Sequence, residues 1–146
     1  MKKLLVLYYS RSGNTEKMAK AVAEGAQSDS VQVDLNFHVD FQDLAAYDAI
    51  AIGVPTYHHD MPMDYKNLFE EAATKGLSLK GKVAAVFGSY GWSGEAPKLL
   101  LEILKNRFGM QVIEPLLITK YAPDTNAIVA CKELGKKVSE TLMNTP

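Results

Sequence analysis

The sequence predicts an α/β protein, an open parallel sheet with helices on both faces. Three observations carry that expectation. Short apolar runs alternate along the chain with amphipathic helical stretches, the order produced by β-α units. The runs at 4–9, 49–53 and 83–87 are continuously apolar, as in strands covered on both faces. The chain has 146 residues, 47% hydrophobic and 23% charged, enough for one core without disulfides or a structural metal. A single domain over residues 1–146 is expected.

The elements follow in order. Leu4 to Tyr9 forms a first strand and stops at polar Ser10-Arg11-Ser12. From Asn14 to Ala26 a helix carries Met18, Ala19, Val22, Ala23 and Ala26 on one stripe. Val31, Val33 and Leu35 alternate with polar residues in a half-buried second strand, and Ala49 to Gly53 gives a third, stopped by Pro55. Phe41, Leu44 and Tyr47 suggest a short helix in the weakly marked crossover between them. Tyr65, Leu68, Phe69, Ala72 and Ala73 mark a second main helix, and Lys82 to Gly88 a fourth strand. A third helix starts near Glu95, with Pro97 in its first turn, and ends at Gly109. Met110 to Ile118 is a fifth strand, whole or broken at Pro115. Asp124 or Thr125 caps a last helix with Ile128, Cys131, Leu134, Val138 and Leu142 inward.

Sixteen basic residues against seventeen acidic ones leave a net charge of -1, unlike the basic excess of nucleic-acid-binding domains. The one cysteine, Cys131, can form neither an internal disulfide nor a Cys-rich zinc site, and points to a reducing cytoplasm. The apolar run after Met1-Lys2-Lys3 is too short for a secretory signal, and no stretch reaches the ~20 residues needed to span a bilayer.

In open α/β sheets, ligands bind beyond the carboxyl ends of the strands, so the loops after the first, third and fourth strands carry the functional signal. The first, Ser10-Arg11-Ser12-Gly13-Asn14-Thr15, packs hydroxyls, a glycine and an amide against a helix N-terminus. Backbone N–H groups, hydroxyl donors and close approach at Gly13 make a phosphate cradle. An ordinary helix cap would need only one of these residues. Arg11 is either added charge for the cradle or a solvated side chain. No Gly-Lys-Ser/Thr follows, and Gly13 stands alone, so neither the Walker A nor the dinucleotide pattern fits. A monophosphate does.

The third-strand loop contains Pro55-Thr56-Tyr57-His58-His59-Asp60. Tyr57 offers a stacking face. The adjacent histidines and Asp60 diverge and lack further ligands at metal spacing, so no metal site is expected. The fourth-strand loop, Gly88-Ser89-Tyr90-Gly91-Trp92-Ser93-Gly94, holds the sole tryptophan among three glycines. Glycines anchor core filler poorly, but they bring backbone N–H groups close to a flat polar ring while an aromatic face stacks on it.

With these motifs in place, the chain resembles the flavodoxin family. Ser10-x-Ser12-Gly13-Asn14-Thr15 matches the family's phosphate motif. Glu16-Lys17-Met18-Ala19 is similar to short-chain clostridial members, and Phe87-Gly88-Ser89-Tyr90-Gly91-Trp92 to these and to the flavodoxin domain of flavodiiron proteins. The similarity runs from Leu4 to about Val138. It implies a flavodoxin-like three-layer sandwich whose five-stranded parallel sheet has the order 2-1-3-4-5, and one FMN. It further implies phosphate contacts from Ser10, Ser12, Gly13, Asn14 and Thr15, with Arg11 in the same loop. Pro55, Thr56, Tyr57 and His58 would line one side of the flavin, and Ser89, Tyr90, Gly91 and Trp92 the other.

Three departures from the family pattern matter. Pro55 replaces a phosphate-contacting Ser, leaving Thr56 as its substitute, and the Pro55-Thr56 pair resembles flavodoxin-like quinone reductases. His58 stands where many members place a Gly whose peptide turns toward reduced flavin N5, and a non-Gly residue resists that turn. The net charge is far less acidic than is usual for the family. The resemblance implies a low-potential electron carrier serving iron–sulfur proteins and flavoenzymes, with no catalytic residues of its own. The alternative is an FMN-dependent NAD(P)H:quinone or flavin reductase. A phosphoaccepting receiver would need acidic residues where Ser10-Arg11 stand, and a low-molecular-weight phosphatase a Cys in the first loop.

Overall fold

The computed structural model describes residues 1–10, 13–56, 62–91 and 94–145. Among the described residues six strands and four α-helices follow one another: β1 (Lys2–Tyr8), α1 (Asn14–Ala26), β2 (Val31–Asn36), β3 (Ala49–Gly53), α2 (Met63–Thr74), β4 (Val83–Tyr90), α3 (Glu95–Glu102), β5 (Gln111–Val112), β6 (Leu117–Lys120) and α4 (Thr125–Met143). All strand pairs are parallel, in the order β2-β1-β3-β4-β5, and β6 also pairs with β4. The expected 2-1-3-4-5 sheet is thus present. Its fifth position is shared by two short strands, divided at the cis Glu114–Pro115 bond.

Continuous apolar strands bury both faces. On β1, Leu5 and Leu7 join Ile50, Ile52, Ala84 and Val86 under α2 and α3, where Tyr65, Phe69, Leu100, Leu104 and Phe108 cover them. Leu4 and Val6 join Ala49, Ala51, Ala85 and Phe87 on the other face, under α1 and α4. This alternation follows from the two-residue strand period. Helices α1 and α4 come together at their glycines. A Cβ on Gly135 would lie 2.0 Å from the Val22 carbonyl oxygen, and one on Gly25 2.0 Å from that of Lys132.

Several boundaries differ from the sequence reading. β1 starts at Lys2, because β2 supplies ladder partners from Val31 onward. The expected crossover helix is a 3-10 turn at Phe41–Ala46, closed by a reciprocal capping box between Asp40 and Asp43. Lys82 Nζ donates to the Ala45 and Tyr47 carbonyls behind it, at 2.9 and 2.7 Å. The long third helix is α-helical only to Glu102 and continues as a π-turn over Ile103–Arg107. Ser89 and Tyr90, read as loop, belong to β4, because Thr119 and Lys120 of β6 pair with them.

Candidate functional site

The order β2-β1-β3 reverses the strand direction of travel between β1 and β3, and this is where an open sheet forms a crevice. Tyr8, Gly53 and Phe87 are neighbours in register, which puts the ends of β1 and β3 level while β4 runs on beside β6 to Tyr90. The ladder extends one step past them. The Tyr9 N–H donates to the Gly53 carbonyl and the Val54 N–H to the Phe87 carbonyl, each at 3.0 Å. Three loops therefore leave the sheet side by side.

The first loop enters α1 through Gly13, whose φ of 87° lies in the left-handed region that favours glycine. Ser10 Oγ accepts a hydrogen bond from the Gly13 N–H at 3.0 Å, and an accepting hydroxyl still carries its own donor hydrogen. Gly13, the N-cap of α1, has no side chain to cap the helix, whose first helical bond runs from the Lys17 N–H to the Gly13 carbonyl. Asn14 and Thr15 open the helix. Their end of the macrodipole is positive, so the loop is built to meet an anion. Glu16, the acidic residue of this turn, accepts from the Tyr8 hydroxyl at 3.1 Å. Burial, then that bond, pushes the Tyr8 phenol above its ordinary range.

The three loops are tied to one another. Thr15 is 2% exposed, and its Oγ1 accepts from the Ser89 N–H at 3.4 Å, joining α1 to β4. Thr56 Oγ1 accepts from the Ala96 N–H at 3.0 Å, joining the third-strand loop to α3. At Gly88 a Cβ would lie 2.0 Å from the Val54 carbonyl oxygen, so glycine is what lets β4 run this close to the chain leaving β3. Pro55 follows directly. Ser89 is 7% exposed, and its hydroxyl donates to the Tyr121 carbonyl at 2.6 Å, an internal use that the sequence did not suggest. Tyr90 is half-buried at the end of β4, and Gly91 is exposed just past it. Arg11, Ser12, Tyr57, His58, His59, Asp60 and Trp92 lie outside the described residues.

Sequence reasoning missed Tyr121. It follows β6 with φ 61°, a left-handed backbone that costs a bulky L-residue roughly 1–2 kcal/mol. Its N–H donates to the Tyr90 carbonyl at 2.6 Å, and ring carbon Cε1 lies 3.6 Å from the place a Gly91 Cβ would occupy. No periodicity or motif marks the residue, since residue type does not report backbone φ at a tyrosine. Beside it, the Lys120 ammonium stands 5.4 Å from the ring centroid.

Among the described residues no cluster of three metal-ligating side chains occurs, and no helix is long and apolar enough to cross a membrane. Cys131 is buried on α4, and burial pushes its thiol up to about 11.

An open parallel sheet with an anion-binding first loop, placed beside a glycine-rich fourth loop, defines a mononucleotide-binding α/β protein. The flavodoxin family model matches residues 6–135. A flavodoxin of Clostridium beijerinckii is 33% identical, over 92% of this chain and 97% of its own length. The solved structure of an archaeal flavodoxin superposes with a TM-score of 0.88 at 35% identity, covering 97% of this chain and 99% of that one. A type A flavoprotein of Rhodobacter capsulatus is 32% identical over 97% of this chain, which spans 33% of that relative's length. The chain belongs to the flavodoxin family, whose members bind FMN.

The residues present fit FMN. The left-handed Gly13, the positive N-terminal end of α1 and the Ser10 hydroxyl form a donor set that suits a phosphate dianion. A Cβ on Gly13 would meet no atom of the described residues within 4 Å.

Proposed function

We propose that residues 1–146 act as a single FMN-binding domain, a cytoplasmic electron carrier without a catalysed reaction of its own. Bound FMN supplies one- and two-electron redox chemistry. In this reading Ser10, Arg11, Ser12, Gly13, Asn14 and Thr15 grip the phosphate. Pro55, Thr56, Tyr57 and His58 line one side of the flavin, and Ser89, Tyr90, Gly91 and Trp92 the other. Redox partner proteins receive the electrons, and iron–sulfur proteins and flavoenzymes are the partners proposed, in small and brief contacts.

The observation that carries the reading is the Ser89–Thr15 hydrogen bond. It fixes the anion-binding turn of α1 against the strand end that leads into the aromatic loop, so one nucleotide can engage both. The Pro55-Thr56 pair keeps the quinone reductase as a second reading. Titration of the purified protein with FMN, followed by anaerobic reduction and then by mixing with NAD(P)H and a quinone, tests both. A carrier quenches FMN fluorescence at one equivalent, accepts electrons from dithionite and turns over NAD(P)H negligibly. Steady NAD(P)H oxidation assigns the reductase, and absence of FMN binding removes both readings.

A further inference from the structure

We propose that Tyr121 is a positioning residue for the flavin ring, holding Ser89, Tyr90 and Gly91 in the shape that receives it. The inference rests on the FMN reading and goes beyond it, because Tyr121 lies outside all three cofactor loops. Three contacts from this one residue meet three successive residues of β4 and its exit. The Ser89 hydroxyl donates to the Tyr121 carbonyl at 2.6 Å, the Tyr121 N–H donates to the Tyr90 carbonyl at 2.6 Å, and the ring flanks Gly91. A left-handed tyrosine persists only where its surroundings over-determine it, and the two hydrogen bonds, one on each side of the residue, do so here.

The residue is 61% exposed, so burial gives little to offset the strain. Glycine or asparagine would adopt the same backbone more easily. What tyrosine adds is the ring beside Gly91. An exposed glycine at a strand exit has the widest backbone freedom of any residue, and a ring lying on the side where its Cβ would point, 3.6 Å from that position, removes part of it before a ligand arrives. That preorganisation should appear in affinity for the flavin head and leave the phosphate grip untouched.

The experiment compares FMN with riboflavin, which lacks the phosphate. Tyr121→Asn keeps the left-handed backbone and deletes the ring. Its dissociation constants for FMN and riboflavin should both rise by the same factor, about five- to tenfold, with no fall in the urea midpoint. Tyr121→Phe keeps the flanking ring carbons and should bind both as the unsubstituted protein does. Unchanged affinity in Tyr121→Asn, or a loss confined to FMN, overturns the proposal. Where Tyr121→Asn lowers the urea midpoint, Tyr121→Gly carries the same comparison. Failure of the unsubstituted protein to bind either flavin is a different result, and it removes the FMN reading itself.

Discussion

Thr56, at the exit of β3, caps a helix 40 residues further along the chain. Its Oγ1 accepts the Ala96 amide hydrogen at 3.0 Å, while α3's own N-cap, Gly94, has no side chain to offer. The cap therefore comes from another loop, and it fixes the third-strand loop to the helix that follows the fourth. Removing the hydroxyl leaves an amide of the first turn without that acceptor. Thr56→Val should lower stability by about 1 kcal/mol, the usual worth of a cap, and Thr56→Ser should restore it. Urea denaturation of the three proteins checks this, and equal midpoints for Thr56→Val and the unsubstituted chain would sink the cap.

Gly13 offers the complementary test at the phosphate end. With φ 87° an alanine is strained although no atom of the described residues stands within 4 Å of its Cβ, so the penalty is argued from conformation rather than crowding. Gly13→Ala should cost roughly 1–2 kcal/mol of stability. It should also weaken FMN more than riboflavin, because the amides it displaces are those the proposed function gives to the phosphate. Isothermal titration with both flavins separates these effects. Equal losses for the two would mean that the turn does not read the phosphate.

Much of this was legible in the sequence, and for identifiable reasons. Continuous apolar runs such as Leu4–Leu7 and Val83–Phe87 report burial on two faces, and they gave the parallel sheet. Hydroxyl and glycine residues between a strand and a helix marked the turn at Gly13 to which the proposal gives the phosphate. What depends on a distant partner was not legible. Tyr90 is strand because Lys120 pairs with it, Thr56 is a cap because Ala96 lies opposite, and Ser89 spends its hydroxyl on the Tyr121 carbonyl. None of these partners stands at a spacing that a local pattern could show. Gly25 and Gly135 look in sequence like weak points of two helices, and only the packing of α1 on α4 gives them a purpose.

That purpose sets a third prediction. Alanine in place of helical glycine normally stabilises by about 1 kcal/mol. At Gly135 the new Cβ would lie 2.0 Å from the Val22 carbonyl oxygen and 2.9 Å from the Ala26 nitrogen, so two backbones must part. Overpacking of this kind costs about 1–3 kcal/mol or more, which exceeds the gain in propensity. Gly135→Ala should therefore lower the urea midpoint. A rise would show that the helices separate at little cost.

Alkaline pH should weaken the fold through groups that burial holds in their neutral form, Tyr8 and Tyr65 among them, and two of these fall in an accessible pH window. Burial raises the Cys131 thiol from an ordinary 9.0 to about 11. Burial, then the bond to Asp34, raises the Tyr47 phenol from 10.0 to about 12, with its hydroxyl donating to Asp34 Oδ2 at 2.7 Å. The unfolded chain loses these protons first. Between pH 9 and 11 it binds fewer protons at Cys131 than the folded chain does, so stability falls as pH rises. The stabilisation from Cys131 is complete below pH 9 and declines through pH 11, and the Tyr47 contribution declines from pH 10 toward 12. Urea midpoints measured from pH 8 to 11 should fall, and in Cys131→Ala they should fall less steeply over that window. The same burial keeps the thiolate scarce and shielded, so Ellman's reagent at pH 8 should label Cys131 only after the protein is unfolded in urea. Rapid labelling of the folded protein, or identical pH slopes with and without the thiol, would show that Cys131 is open to solvent.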